Sequence, residues 1–198
     1  MTEEQPPLRI RDPRVMRALA HPARLAIMDA LATGQTGTAT QFAQIVGLSP
    51  SATSYHLRAL AKYELVEEAP SRGDGRERVW KRTGRRIQLD AGPNDPPEVL
   101  DAGRLLTDAL LARDEAQARQ WWEVAASEDP EWYAASRLSK THIVVTADEL
   151  QQLNEAIEEL IKPYSLMRRL STPEGARPVA VSYWAFPIDR LASGDVKP

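Results

Sequence analysis

Ser51, Ser54, Tyr55 and Arg58 stand at positions i, i+3, i+4 and i+7 of one stretch, the spacing that places side chains on a single face of an α-helix. Two hydroxyls, a phenol and a guanidinium then form one row of hydrogen-bonding groups. Such a row suits a nucleic-acid duplex. A helix fits the major groove, where a guanidinium can bond a guanine edge, and hydroxyls bind phosphate oxygens. Thr53, Leu57 and Leu60 fall on another face and are expected to pack inward. Further cations stand nearby: Lys62 at the end of the same stretch, and Arg72, Arg76 and Arg78 in and beside the run Ser71-Arg72-Gly73-Asp74-Gly75-Arg76. Those at the tip of that run are placed to contact backbone or minor groove. A polar stripe is also what any solvated helix shows, so its meaning depends on the elements that carry it.

Other chemistries find little support. The chain has no cysteine, which removes disulfides, thiolate metal sites and cysteine nucleophiles. Its histidines are His21, His56 and His142, too few and too scattered for a zinc site needing about three or four ligands. There is no glycine-rich phosphate loop, no His-Glu-x-x-His and no nucleophile elbow. Asp148 and Glu149 near His142 could pass for an acid–base group, but Thr146 with Glu149 three residues on reads as a helix capping box. No metal, no cofactor and no enzymatic activity is expected.

The elements before residue 90 are mostly helical. Asp12 can cap a helix with Pro13 at its first position, carrying Val15, Met16 and Leu19. His21-Pro22 interrupts it, and a second helix follows with Leu25, Ile27, Met28 and Leu31 inward, ended by Gly34 and Gly37. Thr38 can cap a third, with Phe42, Ala43, Ile45 and Val46 apolar. Gly47-Leu48-Ser49 is a tight turn, and Ser49 caps a fourth with Pro50 first, running to about Tyr63. Alternation at 65–68 and 78–81, around the Asp-Gly turn signal at Asp74-Gly75, reads as a β-hairpin with an arginine-rich tip. Helix, turn, capped helix and basic hairpin, in that order, make a winged helix-turn-helix.

Three prolines and a glycine in 90–97 oppose helix and central strand, so this stretch reads as a linker. After it, 98–127 reads as one long amphipathic helix. A shorter helix starts at Asp129-Pro130, a strand is expected over 141–145, a helix follows the Thr146 cap, and a last strand is expected over 179–186. The expected fold is mainly α with small β elements. An N-terminal winged helix-turn-helix (11–89) is joined by the linker (90–97) to a C-terminal α+β dimerisation and effector region (98–198). Leu105, Leu106, Leu110 and Trp121 on the long helix are the candidate dimer contacts. Trp122, Trp132 and Trp184 are candidates for lining a pocket for a small-molecule effector; the competing reading makes them core.

The net charge of −3 is at first sight wrong for a nucleic-acid binder. Its distribution is not. Residues 9–89 carry 14 Lys and Arg against 7 Asp and Glu, whereas 90–198 carry 11 against 19. The basic half coincides with the winged helix. No run of about 18 apolar residues predicts a membrane span, and the acidic, proline-containing first seven residues do not resemble a signal peptide. A cytoplasmic location is expected.

Two motifs resemble those of ArsR-type winged-helix repressors. They are Leu19-Ala20-His21-Pro22-Ala23-Arg24-Leu25, and Leu48 to Leu60, the segment Leu-Ser-Pro-Ser-Ala-Thr-Ser-Tyr-His-Leu-Arg-Ala-Leu. Glu64-Leu65-Val66 followed by Gly73-Asp74-Gly75-Arg76 resembles the entry into the family's wing. The resemblance covers about 11–89. It implies a homodimer on an inverted repeat of double-stranded DNA, usually a repressor relieved by a signal. It also gives Ser51, Ser54, Tyr55 and Arg58 the DNA-contact role, and His21 and His56 packing and capping roles. The metal-sensing members' thiolate pair is missing here, and 98–127 contains no histidine for their alternative site. The end of the chain, with Tyr183-Trp184-Ala185-Phe186-Pro187, resembles the C-terminal extension of some actinobacterial regulators. The rival expectation is a winged-helix protein–protein interaction module without specific DNA binding, but its recognition face would be apolar.

Overall fold

A computed structural model describes residues 8–70, 77–83, 87–165, 169 and 171–188. The chain divides into two compact units, one ending at Tyr133 and the other beginning at Ala134.

Caps set the helices of the first unit. The Asp12 carboxylate accepts from the Arg14 N–H at 2.8 Å and opens α1 (Pro13–Leu19). His21 Nδ1 accepts from the Ala23 N–H at 3.2 Å and opens α2 (Pro22–Ala32). Thr38 and Gln41 form a reciprocal capping box at the start of α3 (Ala39–Val46). That helix ends at Gly47, whose φ of 67° lies in the left-handed region that favours glycine. Ser49 accepts from the Ala52 N–H and opens α4 (Pro50–Ala61). Each cap satisfies a backbone donor that the helix start leaves unpaired.

Strands β1 (Leu8–Ile10), β2 (Gly37–Thr38), β3 (Val66–Ala69), β4 (Val79–Arg82) and β5 (Ile87–Leu89) form two small sheets. The hairpin pairs β3 with β4, Val66 opposite Arg82 and Ala69 opposite Val79, and β2 adds on the other edge of β4. β1 pairs with β5 in parallel. The hairpin follows the sequence expectation; its tip, with Arg72 and Arg76, lies outside the described residues. The core collects Met16, Ile27, Phe42, Leu57, Leu60 and Trp80 among its buried side chains, so all four helices and the hairpin share one interior.

Helix α5 (Pro97–Val124) belongs to this same unit. Its Ala102 and Leu106 are buried in the common core, and Leu110 packs against it. Asp29 on α2 accepts from Arg113 Nε at 2.7 Å and from Gln117 Nε2 at 3.0 Å, clamping α5 to α2. The stretch 90–97 is a tied turn: Asp95 is buried, accepts from the Gly92 N–H at 2.8 Å and pairs with Arg11. The stretch 90–97, expected as a linker, lies inside the first compact unit, and the contacts divide the chain after residue 133. Leu106 is also not available as a dimer contact, because its periodic apolar position is taken by the chain's own core; Leu105, one residue away, is exposed.

The Gly92 N–H and then the Arg11 guanidinium hold the Asp95 carboxyl below its ordinary range. A depressed folded-state pKa means that the group stabilises the fold fully above the unfolded value of about 4 and loses that contribution as pH falls through the folded value. Thermal midpoints of the wild-type chain should therefore fall more steeply on acidification than those of Asp95→Asn. Parallel curves would show that the turn contributes nothing.

The second unit contains the end of α6 (Pro130–Ala135) and all of α7 (Ala147–Ile161), the latter opened by the expected capping box of Thr146 and Glu149. The two strands expected here are not formed: 141–145 and 179–186 carry no regular secondary structure and join no ladder among the described residues. Their β-branched and aromatic residues record a fit to a pleated, half-buried surface, and no such surface is provided here.

Candidate nucleic-acid interface

Helix α4 separates its two faces cleanly. Thr53, Leu57 and Leu60 are fully buried, and the Thr53 hydroxyl donates to the Ser49 carbonyl at 3.0 Å, so that hydroxyl is not stranded in the core. On the other side Ser51, Tyr55, Arg58 and Lys62 are exposed and Ser54 is half-buried. The structure thus brings five of the expected contact residues onto one accessible face. Ser51 Oγ lies 3.2 Å from Ser49 Oγ, beside the helix N-terminus, where backbone N–H groups and the helix dipole favour an anion such as phosphate. Arg58 and Lys62 enter no ion pair among the described residues, leaving both charges open to a polyanion.

The hairpin flanks this face differently from expectation. Arg78 pairs with Glu68 at 2.9 Å and Lys81 with Glu67 at 2.9 Å, so the described part of the wing is locally neutralised. Such exposed pairs contribute only about 0–1 kcal/mol, which a phosphate can outcompete. The Thr40 hydroxyl donates to Glu77 at 3.4 Å, linking α3 to the base of the wing.

Behind the face sit His21 and His56, to which the resemblance gives packing and capping roles; His21 caps α2. The buried His56 ring lies 4.6 Å from His21 and 5.4 Å from Tyr55, edge-on to the latter. Burial, and then the neighbouring His21 and Arg24, hold His56 below its ordinary value, which favours the neutral ring that packs edge-on against Tyr55.

The remaining candidates are dispersed. Leu105 is exposed on α5 and Trp121 half-buried. Exposed Leu111, on the same helix, was not anticipated because it is out of step with the other apolar positions. The Asp29–Arg113–Gln117 clamp also escaped notice, since its members are 84 and 88 residues apart. Trp122 lines an open cleft of about 440 Å³ with Ala125, Ala126, Glu128, Pro130 and Tyr133. Trp132 is not among the lining residues, and Trp184 belongs to the second unit. Among the described residues no cluster of three or more metal-ligating side chains occurs, and no helix is long and apolar enough to cross a membrane.

Comparison with known proteins agrees with this geometry at the level of the domain. Residues 19–69, from the end of α1 through β3, match a helix-turn-helix domain family. No curated protein sequence matches the chain. Among solved structures, an apo double mutant of ZitR from Lactococcus lactis is similar at 16% identity, with a TM-score of 0.33 over 73% of this chain and 83% of that one. A transcriptional regulator homologue from Pyrococcus horikoshii is similar at 23% identity, with a TM-score of 0.32 over 50% of this chain and 87% of that one. A ZitR mutant in complex with DNA is similar at 15% identity, with a TM-score of 0.31 over 72% and 73%. At these scores the class rests on the domain match and on the chain's own geometry: a mostly helical protein with an N-terminal helix-turn-helix followed by a β-hairpin wing.

Proposed function

We propose that the protein is a sequence-specific DNA-binding transcriptional regulator of the ArsR type, a homodimeric repressor acting on an inverted repeat. The observation that carries this reading is the division of α4. Its Leu57 face is locked in the core, while Ser51, Ser54, Tyr55 and Arg58 present a continuous polar face. An apolar exposed face would have favoured protein docking instead. Arg58 reads a base edge, Ser51 and Ser54 hold phosphates, and Lys62 with the wing arginines Arg72, Arg76 and Arg78 adds backbone contacts. Two copies related by a two-fold axis place their α4 helices about 34 Å apart, one DNA turn. Leu105 and Trp121 on α5 remain the dimer contacts open to a partner. Trp122 is the one pocket candidate with a cleft beside it, for an effector of unknown chemistry.

The test is fluorescence anisotropy with a labelled duplex from upstream of the protein's own gene and a scrambled duplex, across several salt concentrations. Tight binding to the native duplex alone, weakening steeply with salt, is the expected result. No binding to either duplex at low salt would move the assignment to a protein-interaction module.

A further inference from the structure

No described residue from Ala134 onward is buried, although the segment is rich in apolar side chains. Ile143, Val144, Val181, Tyr183, Trp184 and Phe186 are all exposed. Helix α7 is amphipathic and firmly capped, yet its Leu150, Leu153 and Ile157 reach only partial burial. Described residues that fully bury nothing against one another do not offset the entropy of ordering their chain. Among the described residues one copy supplies one complete helix, α7, and two segments of strand composition, and a two-stranded ribbon is marginal in water. Two copies supply four strands and two helices, enough for a sheet with a covered face.

Charge favours a second copy as the occupant. Residues 147–161 carry five acidic residues and no Lys or Arg, whereas 162–177 carry Lys162, Arg168, Arg169 and Arg177 against Glu174. Over 134–198 eight basic residues balance eight acidic ones. The segment is self-complementary and unlike a surface for a polyanion, which would need a basic excess.

We infer that 141–145 and 179–186 are strands completed by a second copy of this chain. The 179–186 segments of the two copies lie side by side at the two-fold axis, and α7 of each covers the sheet. The longer, almost uninterrupted apolar segment takes the centre, where both edges of a strand are paired and shielded from further association. This rests on the homodimer reading above and locates an interface that α5 alone does not provide.

The full chain lacks cysteine, so single introduced thiols report proximity without background. Ala180→Cys, Ser182→Cys and Ala185→Cys should give a disulfide-linked dimer under mild oxidation at one or more of these positions. Gln35→Cys, exposed in the first unit, should not. In sedimentation, Val181→Asp should raise the dimer dissociation constant about tenfold or more, because a charge must be buried, while the thermal transition of the first unit is unchanged. Failure of all three thiols to link, or an unchanged dimer in Val181→Asp, overturns the inference. Anisotropy of the wild-type chain is read separately. Specific DNA binding with no link through 179–186 overturns only the inference, and a linked dimer that ignores DNA overturns only the proposed function.

Discussion

Leu57→Ala is expected to lower the stability of the first unit by about 2–5 kcal/mol, the range for a fully buried leucine cut back to alanine. Leu57 has no exposed surface and shares its cluster with Met16, Ile27, Phe42 and Leu60. With Leu60, also fully buried, it holds α4 against the other helices. Folded domains are stable by only about 5–15 kcal/mol, so this one change removes a large share. Urea unfolding should show a lower midpoint with an unchanged slope. DNA affinity, corrected for the folded fraction, should be nearly that of the wild-type chain. A change within about 0.5 kcal/mol, as at ordinary surface positions, would contradict the placement of Leu57 in the core.

Arg58→Ala, at the next residue, is expected to do the reverse. Arg58 is exposed and outside any ion pair among the described residues, so stability should shift by no more than about 0.5 kcal/mol. Binding to the native duplex should weaken by about 1–3 kcal/mol, with base preference relaxed at one position of each half-site. Equal loss on native and scrambled duplexes would show that Arg58 holds phosphate. The contrast between these neighbours is the division of α4 expressed as two measurements.

The N-terminal elements were legible because their signals are local. Asp12, Thr38 and Ser49 each stand directly before an apolar period, and each side chain accepts from the backbone as a cap should. The opposed faces of α4 follow from residue spacing alone. What escaped the sequence depends on long-range or absent partners. β1 and β5 are three residues each and pair across almost 80 positions, too short to carry a period. Leu106 and Leu105 are equally apolar, and only the docking of α5 decides which faces the core. Arg78 looked like a free cation until the hairpin register brought Glu68 to it. The segments 141–145 and 179–186 have strand composition, but composition cannot supply the neighbour that a ladder requires.

The most direct test of the central claim is a side-by-side anisotropy titration of the wild-type chain and Arg58→Ala onto native and scrambled duplexes at one moderate salt concentration. If α4 reads DNA, the wild-type chain binds the native duplex far more tightly than the scrambled one, and Arg58→Ala narrows that gap mainly by weakening the native complex. Four superimposable isotherms, or no binding by the wild-type chain to either duplex, would contradict it.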